Sequence, residues 1–166
     1  MIEEYIINVP QIEIDNLNKK LELTRWADEI DDNDNWSDGT NLNFLKELCR
    51  YWQNDFDWRE QEKILNEIGS FKFEYDGGHI HFLHSRSNNP NAKNLILTHG
   101  WPGSIQEFIK VIKYLRDESN EDFNIVCPSL PGFGFSSKPK SRGTDSEAIA
   151  RIQNSLMMEL GYEKYI

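Results

Sequence analysis

The chain has 166 residues, 38% of them apolar and 12% aromatic, which is enough for one domain with a core and too apolar for disorder. A formal charge of −10 argues against nucleic-acid and anionic-membrane partners, which need a basic footprint. No apolar run reaches the length of a membrane span, and residues 1–10 carry Glu3 and Glu4 without a basic start, so neither an anchor nor a signal peptide is expected and the cytoplasm is the default location.

Residues 11–25 read as a helix, with Ile14, Leu17 and Leu21 on one side and Lys19, Lys20 and Glu22 on the other. The stretch 27–39 is polar and acidic, and Trp36 within it is expected to anchor it to the main body. Residues 41–54 predict a second helix with Leu45, Leu48, Cys49 and Trp52 as its apolar face. Asp57 and Glu60 predict the start of a third, with Trp58, Leu65 and Ile68 inward and Gly69 as its C-cap.

The period then changes to two. Phe71, Phe73 and Tyr75 alternate, Asp76-Gly77-Gly78 turns, and Ile80, Phe82 and His84 continue, which predicts a hairpin. The run 93–98 is apolar without alternation, as in a parallel strand covered on both faces. Ser104 with Glu107 caps a helix lined by Ile105, Phe108, Ile109, Ile112 and Leu115. Residues 123–128 form a further strand, 129–143 a Gly- and Pro-containing loop, and Thr144 with Glu147 opens a last helix that Gly161 ends. Cys49 and Cys127 fit no zinc or redox spacing and are expected to be buried thiols.

Three stretches are candidates for chemistry. His99-Gly100-Trp101-Pro102-Gly103 follows the 93–98 strand, and such a turn aims backbone N–H groups at one point, so the Trp101 N–H is a candidate oxyanion donor. A cis Trp101-Pro102 bond would suit so tight a turn. His79, His81 and His84 lie on a strand with the first two on one face and the third opposite, a poor metal set; no metal site and no cofactor is expected. Pro131-Gly132-Phe133-Gly134-Phe135-Ser136 fits neither nucleotide-binding glycine pattern, and Phe133 there is a candidate, with Trp101, for lining a substrate pocket. No G-x-[S/D/C]-x-G elbow occurs, so the chain shows no nucleophile, base or acid.

Taken together, several strings resemble the N-terminal part of the microsomal-type epoxide hydrolases, members of the α/β-hydrolase superfamily. They are Thr24-Arg25-Trp26, Trp36-Ser37-Asp38-Gly39, Tyr51-Trp52, Phe56-Asp57-Trp58-Arg59, Ile80-His81-Phe82-Leu83-His84, His99 to Ser104, Pro128 to Ser136 and Leu160-Gly161-Tyr162. Ala27 stands where that family usually has proline. The resemblance covers essentially the whole chain. It implies an α/β fold with an N-terminal helical segment, 1–69, and the first half of an α/β-hydrolase core, 70–166, the sheet incomplete.

The chemistry it implies is opening of an epoxide by an aspartate and hydrolysis of the resulting ester by a histidine-activated water, with two lid tyrosines protonating the epoxide oxygen. Of that apparatus only the Trp101 N–H carries over; the other groups belong after residue 166. The expected ligand is a small apolar epoxide, once a C-terminal half is supplied. The 93–98 strand, interior in the family, would be left as an apolar edge through which the chain self-associates. The alternatives are a non-catalytic remnant that binds a partner or small apolar ligand, half of a split hydrolase, or another α/β hydrolase such as a dehalogenase. The Trp-rich N-terminal third speaks against the last.

Overall fold

The computed structural model describes residues 1–30, 36, 37 and 39–166. Five of the acidic stretch's residues, 31–35, and Asp38 of the Trp36 motif lie outside them. The chain forms two compact units, one of Met1–Ile7 with Lys63–Ile166 and one of Asn8–Glu62.

The larger unit is a five-stranded sheet in the order β1-β2-β3-β5-β4. β1 (Ile2–Glu4), β2 (Ser70–Tyr75) and β3 (Gly78–Ser85) pair antiparallel, with Ile2 opposite Phe73 and Phe71 opposite Phe82. β3 pairs antiparallel with β5 (Phe123–Pro128), and β4 (Lys93–Ile96) pairs parallel with β5. The hairpin stands as the alternation predicts. The parallel pair forms too, but β4 is shorter than the predicted run 93–98 and is not covered on both faces, because it is an edge of the sheet and none of its residues is buried. β1 was not legible: of its three residues only Ile2 is apolar. Gly69 is needed where α3 (Trp58–Ile68) gives way to β2, because its φ is +103° and a Cβ would lie 2.8 Å from the His84 carbonyl oxygen.

Alternate residues of the strands feed two cores. Leu83, Ile125 and Cys127 pack with Ile7, Leu65 of α3, Ile105, and Ile112 of α4 (Ile109–Asp117). Phe73, Ile80, Phe82 and Val126 pack on the opposite face with Ile152, Leu156 and Met157 of α5 (Ser146–Glu159). The inner face predicted for 105–115 is the one turned to the core, with Ile105 and Ile112 buried and Phe108, Ile109 and Leu115 partly buried, and α5 buries Ile152, Leu156 and Met157.

Two ends differ from the sequence reading. The α4 segment begins as a 3-10 turn, Ile105–Phe108, still opened by the Ser104–Glu107 capping box. The cap of α5 is Asp145 rather than Thr144: its carboxylate accepts the Ala148 N–H at 2.9 Å, and an ionised cap there also meets the helix dipole. Gly161 ends α5 as expected. With φ at +82°, it lets its own N–H reach Met158 O and the Tyr162 N–H reach Met157 O, the double closure of a Schellman motif.

The smaller unit holds α1 (Gln11–Glu22), α2 (Leu42–Asn54) and the first turn of α3. Asn41 caps α2 by accepting the Phe44 N–H at 2.9 Å. Asp57 accepts the N–H groups of Arg59 and Glu60, the start predicted for α3. The predicted α2 face is not a buried one: Leu48 and Trp52 are exposed, and Cys49 is half-buried rather than buried. Trp36 lies against Phe44, ring centroids 5.0 Å apart, yet stays mostly exposed. A buried carboxylate organises this unit instead. Glu62 accepts from Val9 N–H (2.6 Å), Trp58 Nε1 (2.8 Å) and Arg59 Nη1 (2.7 Å). Those hydrogen bonds outweigh its burial and hold the carboxyl below the usual range.

Candidate functional site

The turn after β4 is fixed from inside by one imidazole. His99 is 3% exposed, and its Nε2 accepts the Leu130 N–H at 3.1 Å. The ring proton therefore sits on Nδ1, which donates to the Gly100 carbonyl oxygen at 3.1 Å. The Phe133 ring meets the His99 ring nearly edge-on, centroids 5.2 Å apart. The Trp101-Pro102 bond is cis, as the tightness of the turn suggested. The Trp101 N–H finds no acceptor among the described residues, and its indole projects into solvent at 84% exposure.

Gly103 closes the turn for a steric reason. A Cβ there would fall 1.4 Å from Glu107 Oε1, the carboxylate that accepts the Ser104 N–H at 3.0 Å. Gly103 thus leaves room for the capping box that starts the following helix. A glycine at that position was legible in the sequence; the carboxylate lying over it was not.

The loop 129–137 is stitched to β3. Ser129 N–H donates to His81 O, Ser136 Oγ accepts the His81 N–H at 2.9 Å, and the same Oγ donates to Ser129 O at 2.8 Å. His81 joins Ser70 Oγ through Nε2 and Ser129 Oγ through Nδ1, both at 3.0 Å. His79 contacts the Phe135 carbonyl oxygen through Nε2 and Ser137 Oγ through Nδ1. Gly132 and Gly134 carry positive φ, +84° and +51°, where the loop bends back.

The hairpin histidines are therefore structural ties. His84 lies on the opposite face, as the alternation predicts, with Nε2 3.0 Å from the Tyr162 hydroxyl. Burial pushes His81 and His84 down to about 4, helped by nearby Lys72 and His79 in the first case and Arg86 in the second. Among the described residues no three His, Cys, Asp or Glu side chains gather where an ion could sit. Cys127 is fully buried and burial pushes its thiol up to about 12, which removes it as a nucleophile near neutral pH.

The structure thus brings His99, Gly100, Trp101, Pro102 and Gly103 into one turn and sets Phe133 against His99. It does not seat the Trp101 indole in a pocket. A cleft of about 250 Å³ opens at the hairpin tip, lined by Tyr75, Asp76, Pro131, Lys140 and Arg151 among others; neither Trp101 nor Phe133 lines it. Ser129, Leu130 and Ser136 lie in a stretch the sequence singled out, but their part in holding the turn and the loop was missed. The local pattern offers two hydroxyl residues within a Gly-containing loop and no pointer to their partners, which lie up to 55 positions away.

The sequence profile of the family described as "Epoxide hydrolase N terminus" matches residues 2–108, and that of the "alpha/beta hydrolase fold" matches residues 93–166. A putative epoxide hydrolase of Stigmatella aurantiaca is 41% identical over 171 residues, covering 99% of this chain and 39% of that protein. Epoxide hydrolase 1 of Sus scrofa is 36% identical over 174 residues, covering 99% of this chain and 38% of that protein. Among solved structures, an enantioselective mutant of the Aspergillus niger epoxide hydrolase superposes with a TM-score of 0.89 at 30% identity, over 99% of this chain and 45% of that one. The juvenile hormone epoxide hydrolase of Bombyx mori superposes with a TM-score of 0.88 at 30% identity, over the same shares. The chain spans about two fifths of the length of these curated relatives, 39% and 38%, and its sheet is correspondingly incomplete.

Proposed function

The chain belongs to the epoxide hydrolase family, and we propose that it is the part of such an enzyme that supplies the oxyanion-stabilising turn. Epoxide opening by a carboxylate leaves an ester, and attack of water on that ester passes through a tetrahedral oxyanion. A preorganised N–H aimed at that oxygen is worth about 3 kcal/mol. The observation that carries the reading is the Trp101 N–H: it is free of protein acceptors among the described residues, in the turn that follows β4, which the two hydrogen bonds of the His99 ring hold. The carboxylate nucleophile, the base and the epoxide-protonating acid come from a further polypeptide segment, and the substrate is a small apolar epoxide.

Complementation tests this. The chain is mixed with the C-terminal region of the Stigmatella aurantiaca relative that follows the matched part, and styrene oxide is assayed for diol. The expected result is no diol from the chain alone and turnover by the assembled pair. Trp101→Ala keeps the backbone N–H and retains most of that turnover. Trp101→Pro removes the N–H and lowers it on the order of 100-fold. Diol from the isolated chain, or an assembled pair indifferent to Trp101→Pro, overturns the reading.

A further inference from the structure

We infer that Ser136 is a positioning residue for the Trp101 N–H, acting through two peptide units and the His99 ring. This rests on the reading of Trp101 as the oxyanion donor. Four hydrogen bonds run in one direction. The His81 N–H donates to Ser136 Oγ at 2.9 Å, and the Ser136 hydroxyl donates to Ser129 O at 2.8 Å. The peptide that owns that carbonyl also owns the Leu130 N–H, which donates to His99 Nε2 at 3.1 Å. His99 Nδ1–H then donates to Gly100 O at 3.1 Å, and the peptide that owns this carbonyl owns the Trp101 N–H.

Each link constrains the next. Leu130 offers only an N–H, so Nε2 must present its lone pair and the proton must reside on Nδ1. A peptide whose carbonyl accepts a hydrogen bond becomes a stronger donor at its own N–H, so polarisation accumulates along the series. It starts on β3, at a fully buried His81, and ends at an exposed turn. Its terminal N–H is the one with no protein acceptor among the described residues. The series also restrains the Gly100–Trp101 peptide, because its carbonyl accepts from the imidazole that itself accepts from Leu130.

Ser129 provides the control. Its hydroxyl ties the same loop to His81 at 3.0 Å, but no bond of the series passes through that hydroxyl. A role limited to loop packing makes Ser129→Ala and Ser136→Ala equivalent; a positioning role separates them.

The test is ¹⁵N NMR of the 166-residue chain. The unaltered chain is expected to show a trans-hydrogen-bond coupling between the Leu130 amide nitrogen and His99 Nε2, with the ring proton on Nδ1. Ser136→Ala moves the Trp101 amide proton upfield, diminishes that coupling and speeds Leu130 amide exchange roughly fivefold. Ser136→Thr, which keeps the hydroxyl, restores all three, and Ser129→Ala leaves the Trp101 resonance in place. The inference is overturned if the coupling is missing from the unaltered chain, whether or not a variant folds. It is also overturned if Ser136→Ala and Ser129→Ala shift Trp101 alike, or if neither moves it. Failure of complementation with the coupling present sinks the hydrolase reading and leaves the hydrogen-bond series standing.

Discussion

His81 and His84 make the fold sensitive to acid. Both rings are enclosed and used in their neutral form, His81 between two serine hydroxyls and His84 between the Tyr162 hydroxyl and the Arg86 guanidinium, which donates to its Nδ1. Burial lowers each from 6.5 to about 4, so between those values the unfolded chain binds protons that the folded chain refuses. Their contribution to stability is whole above about pH 6.5 and is lost as the pH falls toward 4. Each adds a slope of up to about 1.4 kcal/mol per pH unit within that window. Urea melts at pH 7, 6 and 5, above the main carboxylate range, should show the decline, and His84→Gln should remove one ring's share of it. A stability that is flat from pH 7 to 5 would contradict the assignment. The faces these rings occupy were legible from strand alternation alone. Their partners were not, because Ser129 and Tyr162 lie 48 and 78 positions away and no local pattern encodes such pairings.

Among the elements, the segment 103–108 shows how local sequence sets a helix start that the site then uses. Ser104 and Glu107 announce a capping box, and the structure contains it in full. Gly103 adds what spacing could not reveal, since it leaves room for the Glu107 carboxylate. Its φ is not in the left-handed region, so Gly103→Ala introduces no backbone strain; it pushes away the flexible end of Glu107. The expected loss is about 1 kcal/mol, the worth of a cap, read as a lower urea midpoint at unchanged slope. In a double-mutant cycle Gly103→Ala and Glu107→Ala should be strongly non-additive, because each removes the same bond to the Ser104 N–H. Additive losses would show that the glycine serves something else. The same scale marks the limits of pattern reading. Helical period located the described helices, although the cap of α5 fell one residue later than expected, but α2 carries a clear apolar face without burying one residue, and period alone does not say what covers a face.

At the scale of the whole sheet, the two edges are unlike. β1 is three residues long and carries Glu3 and Glu4, so it is a poor template for another strand. β4 is the other edge, and the apolar run 93–98 leads into the candidate site. That this strand forms an edge was implied by the resemblance; its shortness, its polar start at Lys93 and Asn94 and what lies on it were not. The last residue turns back onto it: Ile166 N–H donates to Asn94 O and Ile96 N–H donates to Ile166 O, both at 2.9 Å, the pattern of one parallel bridge opposite Leu95. Asn94 Nδ2 adds a bond to Lys164 O. The next outward donor, the Thr98 N–H, has no partner among the described residues. We therefore expect this chain to self-associate through the part of β4 that Ile166 leaves open, less readily than a bare edge would. In sedimentation experiments the average mass should rise with concentration. Removing residues 164–166 uncovers Asn94 O and the Ile96 N–H, and should move association to lower concentration. Thr98→Pro takes away the open N–H and should move it to higher concentration. A chain that stays monomeric at every concentration, before and after loss of residues 164–166, would show that the β4 edge does not recruit strands, and that side chains rather than backbone pairing guard it.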